Sequence, residues 1–302
     1  MTNVIASRAK QSRVSSVQTR DCFVACAPRN DTEMTVGKLL KKYHIRAKKS
    51  LGQNFLADPN LQHKLITPLH LTPEDTVLEI GSGLGVMAVA MAAQCRQVIA
   101  IEKDSSLLQI AKTEWHDVPN IQWISADFLE TDLPEGPMKV LGNIPYNIST
   151  PILFRLLEYK DRFSKAVLTL QKEVVQRIVA RPGNKDYGIL SIMAQAQSRC
   201  EKLFDLPARC FIPPPEVTSS ALCLDFQADL PWHIEEIEQL RGIVQKVFQQ
   251  RRKTIRNSLP QEYQFLLEPL GISPQARPET IGVEKWVSLA NAAVTRQPLH
   301  RV

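Results

Sequence analysis

The sequence predicts an α/β protein with a mostly parallel sheet, followed by a small all-helical carboxyl-terminal part. Between residues 76 and 226, short apolar runs alternate with stretches of helical periodicity, a pattern typical of parallel strands joined by crossover helices. A glycine-rich loop, Gly81 to Gly85, separates the first strand from the first helix. After Asp229 only helical periodicity remains, interrupted by Pro and Gly residues.

The predicted elements follow from these patterns in chain order. Strands are expected at residues 76–80, 97–101, 121–124, 139–142, 165–170 and 220–226. Helices are expected between them at residues 86–95, 105–112, 151–159 and 173–180, and after the sheet at residues 234–250, 261–267 and 284–294. The change of pattern near residues 227–230 predicts a boundary between a domain of residues 35–228 and one of residues 229–302.

The amino-terminal residues are predicted to stand apart from the folded domains. Residues 1–33 are polar, rich in Ser and Arg, and without periodicity, which favours a disordered tail that ends at about residue 34. The same composition fits an organellar transit peptide. A start of translation at Met34 is a third interpretation.

The composition of the chain indicates a globular protein with free cysteines. The chain has 302 residues, of which 44% are hydrophobic, and this suits one large domain plus a small one. No apolar run approaches the ~20 residues of a membrane span. The six cysteines include no Cys-x-x-Cys pair, so we expect free thiols in a reducing cytoplasm and no metal site.

The charges are distributed unevenly along the chain, whose net charge is +6. Six cations and no acid lie between Lys38 and Lys49, and five cations and no acid lie between Lys246 and Arg256. Residues 74–135, between these two segments, contain eleven acids. Each basic segment alone is also explained as a solvated helix face, but the two together favour contacts with nucleic-acid phosphates.

The glycine loop and two acids indicate a nucleoside cofactor. Glu102 ends the second predicted strand and Asp127 follows the third, so both are expected near Gly81 at the carboxyl edge of the sheet. Glu102 can accept both ribose hydroxyls of an adenosyl group, and Asp127 can reach the adenine amine. The alternatives are a tight turn without a ligand, or a nicotinamide site whose Gly-x-Gly-x-x-Gly spacing the loop misses by one residue.

The tetrapeptide Asn143-Ile144-Pro145-Tyr146 indicates methyl transfer to a nucleobase. The exocyclic amine of adenine is a poor nucleophile because its lone pair is delocalised into the ring. Hydrogen bonds to the Asn143 side-chain oxygen and the Ile144 carbonyl would hold this amine toward tetrahedral geometry. Tyr146 can stack on the base, a contact worth ~1–3 kcal/mol. The alternative is an ordinary Asn–Pro turn.

Five motifs, taken together and in order, resemble the KsgA/RsmA family of ribosomal RNA adenine dimethyltransferases. The resemblance covers the chain from about Lys48 to its carboxyl terminus and implies the class I methyltransferase fold with a seven-stranded sheet. The motifs are Lys49 to Asp58, Glu79 to Gly85, Asn143 to Tyr146, Phe211 to Val217 and Arg251 to Asn257.

The resemblance implies a role for each candidate site residue. S-adenosylmethionine would contact Asn54, Leu56, Gly81, Glu102, Asp127 and Asn143. The target base would lie between Tyr146 and Phe211, although Phe211 is also explained as a core residue. RNA contacts would come from the basic segments, at Lys48, Lys49, Arg251, Arg252, Lys253 and Arg256.

The resemblance also implies a substrate. It is a pair of adjacent adenosines in the 3′-terminal hairpin of 16S rRNA, presented by a precursor of the 30S subunit to a monomeric enzyme. Two alternatives remain open on the residues alone. One is an adenine methyltransferase with another RNA or DNA target, and the other is an RNA-binding factor in ribosome assembly.

Overall fold

The computed structural model describes residues 34–294. The predicted tail, with its transit-peptide and Met34 alternatives, therefore lies outside the described residues, except for Met34 itself. The strands are β1 Phe55–Leu56, β2 Thr76–Ile80, β3 Gln97–Glu102, β4 Ile121–Ser125, β5 Met138–Asn143, β6 Phe163–Gln171, β7 Arg199–Leu206, β8 Phe211–Ile212 and β9 Ser219–Asp225. Seven of them form one sheet, in the order β4-β3-β2-β5-β6-β9-β7, and β1 pairs with β8 in a separate ribbon.

The predicted α/β fold with a mostly parallel seven-stranded sheet is confirmed. Strands β4, β3, β2, β5 and β6 run parallel, and β9 is antiparallel to both β6 and β7. All six strands expected from the sequence are present. The seventh, β7, is an edge strand whose exposed and half-buried positions include Arg199, Glu201 and Lys202. It lacks the apolar run by which a buried strand is recognised.

The four helices expected between the strands are present with shifted ends, whereas the helices Val36–Lys42, Pro59–Ile66, Ile189–Gln195 and Ile255–Ser258 were not expected. The predicted helix at 86–95 ends earlier, at Ala92, and the one at 234–250 is confined to Ile237–Phe248. The helix expected at 261–267 is present as a 3₁₀ helix, Gln261–Leu266, which Pro260 precedes. The α-helices are α1 Val36–Lys42, α2 Pro59–Ile66, α3 Val86–Ala92, α4 Ser105–Glu114, α5 Ser149–Glu158, α6 Lys172–Ile178, α7 Ile189–Gln195, α8 Ile237–Phe248, α9 Ile255–Ser258 and α10 Val283–Val294.

Two apolar clusters cover the two faces of the sheet, because successive side chains of a strand point to opposite faces. In β2, Val77 belongs to the smaller cluster with α2 and α3, and Leu78 belongs to the larger one. The larger cluster contains residues of α5, α6 and α7, and also of α8 and α10, where Trp286 is fully buried. The carboxyl-terminal helices thus pack into the same core as the sheet, and the domain boundary near residues 227–230 stays a prediction.

The register of the sheet brings the loops of the candidate site together. Ile80, the last residue of β2, is paired with Ile101 of β3 and with Gly142 of β5. The loops that follow these three strands therefore begin side by side at the carboxyl edge. The β1–β8 ribbon pairs Phe55 with Ile212, and so joins the Lys49 to Asp58 motif to the proline-rich one.

Across residues 34–294, no helix has the length and apolarity needed to cross a membrane. The described cysteines, Cys95, Cys200, Cys210 and Cys223, are free thiols. No group of three or more His, Cys, Asp or Glu residues suited to a metal ion occurs in this part of the chain.

Candidate active site

One cavity at the carboxyl edge of the sheet collects most of the residues that the sequence singles out. Its walls come from the loops after β2, β3, β4 and β5 and from the segment that precedes β1. Its lining includes Ser50, Gly52, Gln53, Asn54, Phe55, Gly81, Gly83, Glu102, Lys103, Asp127, Phe128, Asn143, Ile144, Pro145, Tyr146 and Phe211. Of the predicted cofactor residues, only Leu56 does not contribute to this wall.

The glycine loop is held by Glu102. The Gly83 N–H donates to Glu102 Oε2 at 2.8 Å, and the Asp104 N–H donates to Oε1 at 2.8 Å. Gly83 has φ of +55°, a left-handed conformation that favours glycine. Each carboxylate oxygen keeps a lone pair, so Glu102 can still accept the two hydroxyls of a ribose. Burial raises the pKa of Glu102, and the two backbone hydrogen bonds oppose that rise.

Glu79 is a functional candidate that sequence reasoning missed. It precedes the loop by two residues and is fully buried, and neither carboxylate oxygen has a hydrogen-bond partner among the described residues. Burial, with a further contribution from the nearby charge of Glu102, raises its pKa well above the usual range. An acid inside the apolar run Thr76–Ile80 was the available signal, since unpaired buried carboxylates are rare.

Asp127 lies on the cavity wall with its carboxylate already engaged. Its Oδ2 pairs with Lys103 Nζ at 2.7 Å, and its Oδ1 accepts the Leu129 N–H at 2.9 Å. Burial alone would raise the pKa of Asp127, but these two partners lower it. Asp127 is therefore a fixed anion at the cavity wall, with lone pairs left to accept from a ligand amine.

Asn143 is oriented by a contact with a distant part of the chain. Its Nδ2 donates to the Asn54 carbonyl at 2.9 Å, and this contact fixes the plane of the amide. The donor end is thus used within the protein, so that Oδ1 is available as an acceptor. The neighbouring backbone is held as well, because the Ile144 N–H donates to the Thr169 carbonyl at 3.2 Å.

The two aromatic candidates differ in exposure. Tyr146 is half-buried and shares a hydrogen bond of 2.5 Å with the buried Ser219 at the start of β9. Phe211 contributes to the cavity wall but is only 2% exposed, and it packs with Leu56 in the smaller apolar cluster. Ser219 carries no motif signal of its own, since only the tertiary pairing brings it to Tyr146.

Leu56 has a place in the core. Its side chain is 3% exposed, and its carbonyl accepts from Gln62 Nε2 at 2.7 Å. Phe55, which precedes it, is the ribbon residue on the cavity wall. Leu56 thus supports the wall from behind, and a direct contact with the cofactor stays a prediction.

The predicted RNA-binding residues fall into two groups. Arg252, Lys253 and Arg256 are exposed and form no ion pair within residues 34–294. Lys49 is exposed as well. The other two are engaged in the protein: Lys48 pairs with Asp104 at 2.8 Å, and Arg251 donates from Nη2 to the Lys185 carbonyl at 2.5 Å.

Comparison with known proteins agrees with this geometry. The family described as "Ribosomal RNA adenine dimethylase" matches residues 44–294. A ribosomal RNA small subunit methyltransferase A from Desulforapulum autotrophicum is 38% identical over 270 residues, which are 85% of this chain and 95% of that protein. The protein of that name from Thermotoga petrophila is 39% identical over 256 residues, or 84% and 94% of the two chains.

The chain belongs to the ribosomal RNA adenine dimethylase family. It is an enzyme of the S-adenosylmethionine-dependent rRNA adenine methyltransferases. A solved dimethyladenosine transferase from Plasmodium falciparum has the same fold, with a TM-score of 0.71, 23% identity and coverage of 80% of this chain and 98% of that one. The 23S rRNA methyltransferase ErmE aligns with a TM-score of 0.64 at 26% identity, covering 79% and 98%.

The cavity of this dimethylase fits its cofactor. A glycine turn without side chains, the lone pairs of Glu102 and the wall residue Phe128 are the groups that an adenosyl moiety needs for its ribose and its ring. S-adenosylmethionine, when bound, supplies an electrophilic methyl group. Asn143 lines the same cavity.

Proposed function

We propose that this enzyme dimethylates the exocyclic amines of two adjacent adenosines in the 3′-terminal hairpin of 16S rRNA, as a step in 30S subunit biogenesis. The name of the relatives from Desulforapulum autotrophicum and Thermotoga petrophila, ribosomal RNA small subunit methyltransferase A, supports the choice of subunit. The observation that carries the chemistry is the amide of Asn143, whose Nδ2 is bound to the Asn54 carbonyl while its Oδ1 remains an acceptor.

The proposed reaction needs an activated amine. Asn143 Oδ1 and the Ile144 carbonyl accept the two N–H bonds of the adenine amine, which draws its lone pair out of conjugation with the ring. No strong base is required at the nitrogen, because the methylated ammonium is acidic and loses its proton after transfer. Tyr146 stacks on the base and is held by Ser219.

The proposed cofactor contacts follow the cavity wall. Asn54, Gly81, Glu102, Asp127 and Asn143 all line it, so a ligand in the cavity can touch each of them. Glu102 takes the ribose hydroxyls and Asp127 the adenine amine of the cofactor. Because Asp127 is a fixed anion beside Lys103, it favours a hydrogen-bond donor on the ligand, such as an amine, over an acceptor.

The proposed RNA contacts come mainly from the carboxyl-terminal basic segment. Arg252, Lys253 and Arg256 are exposed and face solvent without a described ion partner, so they are available to phosphates. The shape of an RNA hairpin is read chiefly through its backbone. The predicted monomeric state and cytoplasmic location stay predictions.

One experiment tests the proposal against its main alternative. The purified protein is incubated with S-adenosylmethionine and either unmodified 30S or unmodified 50S particles, and the nucleosides are analysed by mass spectrometry. We expect N6,N6-dimethyladenosine in 30S rRNA only, with primer extension stopping at two adjacent positions. Modification of the 50S particle alone would instead favour a large-subunit target, to which the likeness to ErmE points.

A further inference from the structure

The segment Lys48–Asn54, here called the leading loop, forms one wall of the cavity. Residues Ser50 to Asn54 line it, as do Gly81, Glu102 and Asp127. The loop contains a 3₁₀ turn, Lys49–Leu51, and turns sharply at Gly52, where φ is +62°. A ligand that touches Glu102 therefore lies against this loop, and the position of the loop affects how tightly the ligand is held.

Asp104 anchors the leading loop from behind. Its carboxylate accepts from Lys48 Nζ at 2.8 Å and from Gln53 Nε2 at 3.0 Å. The ring of contacts is closed because the Lys48 N–H donates to Gln53 Oε1 at 2.9 Å. Asp104 also caps α4 by accepting the Ser106 N–H, and its own N–H donates to Glu102. Asp104 thus connects the loop, through its carboxylate, to Glu102, through its backbone N–H.

The ionised state of Asp104 is secured by its partners. Burial alone would raise its pKa, but the hydrogen bonds from Lys48, Ser106 and Gln53 lower the pKa of Asp104 to about 2. The carboxylate is only 3% exposed, whereas the Lys48 side chain is 51% exposed. Removing the Lys48 ammonium would leave a buried anion with one donor fewer, which is costlier than the loss of a surface ion pair.

The leading loop connects Asp104 to Asn143 through Asn54, its last residue. Asn54 donates from Nδ2 to the Gly52 carbonyl at 3.1 Å and accepts Asn143 Nδ2 on its own carbonyl at 2.9 Å. The chain of contacts therefore runs from Asp104 through Lys48 and Gln53 to Asn54, and from there to the amide that is proposed to hold the target amine.

We infer that Lys48 is a positioning residue, which acts through Asp104 and Gln53 to hold the leading loop against the cofactor and to orient Asn143, and that it is not a phosphate contact. The sequence alone groups Lys48 with Lys49 in one basic run. The structure separates the two, because Lys48 has a buried anion beside its ammonium while Lys49 is exposed. The cofactor part is independent of the RNA target, and the Asn143 part rests on the proposed function.

The test compares Lys48→Met with Lys49→Met, a matched neighbour that loses the same charge. Calorimetry with S-adenosylmethionine should show a dissociation constant raised about tenfold in Lys48→Met, the effect of losing one hydrogen bond to a charged group. Lys49→Met should bind the cofactor as the wild type does. For a 16S hairpin, the salt dependence of binding should be unchanged in Lys48→Met and shallower by about 0.7–0.9 in Lys49→Met.

Two further variants separate positioning from a general loss of folding. Lys48→Arg keeps a donor for Asp104 and should restore cofactor binding to within about twofold of the wild type. Lys48→Met combined with Asp104→Asn should weaken cofactor binding less than the product of the single effects, because no buried anion is left unpaired. Asn keeps the α4 cap in this variant.

The outcome that overturns the inference is specific. A Lys48→Met protein with wild-type cofactor affinity and a shallower salt dependence would make Lys48 a phosphate contact. With saturating cofactor, the inference also requires a lower kcat for Lys48→Met at an unchanged KM for RNA. The cofactor measurement needs no RNA, so it tests the role of Lys48 whether or not the proposed RNA target is correct.

Discussion

The two basic segments of this chain have similar compositions but differ in which of their cations are paired with acids. In the amino-terminal segment, Lys42 pairs with Glu114 and Lys48 pairs with Asp104, so these two charges are compensated within the protein. In the carboxyl-terminal segment, Arg252 and Lys253 are exposed and have no ion partner within residues 34–294. A run of cations in a sequence therefore does not tell which of them can bind phosphate, since the acids that neutralise them are 56 to 72 residues away in the chain.

This difference leads us to expect different roles for the two segments. The amino-terminal segment leads into a wall of the cavity, where Lys48 pairs with Asp104 while Lys49 stays exposed, whereas the carboxyl-terminal segment, here called the outer segment, exposes Arg252, Lys253 and Arg256. If this division is correct, changes in the cavity should alter turnover without altering RNA affinity, and changes on the outer segment should do the reverse.

The largest expected effect is that of Asn143→Ala. Loss of the amide removes one of the two acceptors for the target amine, so we expect turnover to fall by about 10²–10³-fold or more while the hairpin binds as before. Single-turnover methylation and filter binding measure the two quantities. Wild-type turnover in this variant would refute the amine-holding role, and a parallel loss of RNA binding would contradict the division between the segments.

The next effect concerns the outer segment. Replacing Arg252, Lys253 and Arg256 by Ala should make the slope of log affinity against log salt shallower by about 2 to 3, one phosphate for each residue. Cofactor affinity should not change. The control is Lys42→Met in the amino-terminal segment, which removes a compensated charge and should leave the slope as it is. Equal slopes for the triple variant and the wild type would count against phosphate contacts here.

A smaller effect is expected at the support of Tyr146. Ser219→Ala and Tyr146→Phe each remove the same 2.5 Å hydrogen bond, so each should lower kcat by up to about tenfold. The double variant should be no worse than either single one, because both changes remove one interaction. Ser220→Ala, next in the strand, is the control. Additive losses would show that the hydroxyls act separately.

The smallest effect is on stability, at the buried Glu79 of β2, two residues before the glycine loop. The raised pKa of Glu79 means that the folded state holds this proton more tightly than the unfolded one. The stability that comes from the protonated Glu79 is therefore fully present below about pH 4.3, the usual pKa of glutamate in an unfolded chain. This stability is lost as the pH rises toward the pKa of the folded state. Urea unfolding should show that Glu79→Gln gains stability over the wild type between pH 4 and pH 8.

The exposed Glu74 provides the matched control for that experiment. Glu74→Gln makes the same change at an exposed position and should not reproduce the pH-dependent gain of Glu79→Gln. If the two variants had parallel profiles, Glu79 would not titrate differently in the folded and unfolded states, and its burial would be compensated by a partner.

Local patterns were sufficient for most of the fold. The central strands are short apolar runs with both faces covered, and the glycine loop lies between a strand and a helix, so periodicity and turn chemistry found them. The edge strand β7 and the two-residue β1–β8 ribbon were missed. Both depend on partners elsewhere in the chain, and neither has enough apolar residues of its own to be recognised.

For the site, the sequence by itself determined the residue types and their order: a glycine turn, acids at the ends of strands, and an Asn-Ile-Pro-Tyr motif whose chemistry suits a base amine. Only the tertiary structure decided which partners these residues have. In the fold, Asn143 donates to the Asn54 carbonyl, Tyr146 shares a hydrogen bond with the Ser219 hydroxyl, and Lys48 donates to the Asp104 carboxylate. These contacts join residues 56 to 89 positions apart, and the distance between such residues depends on strand order and register, which local periodicity does not encode.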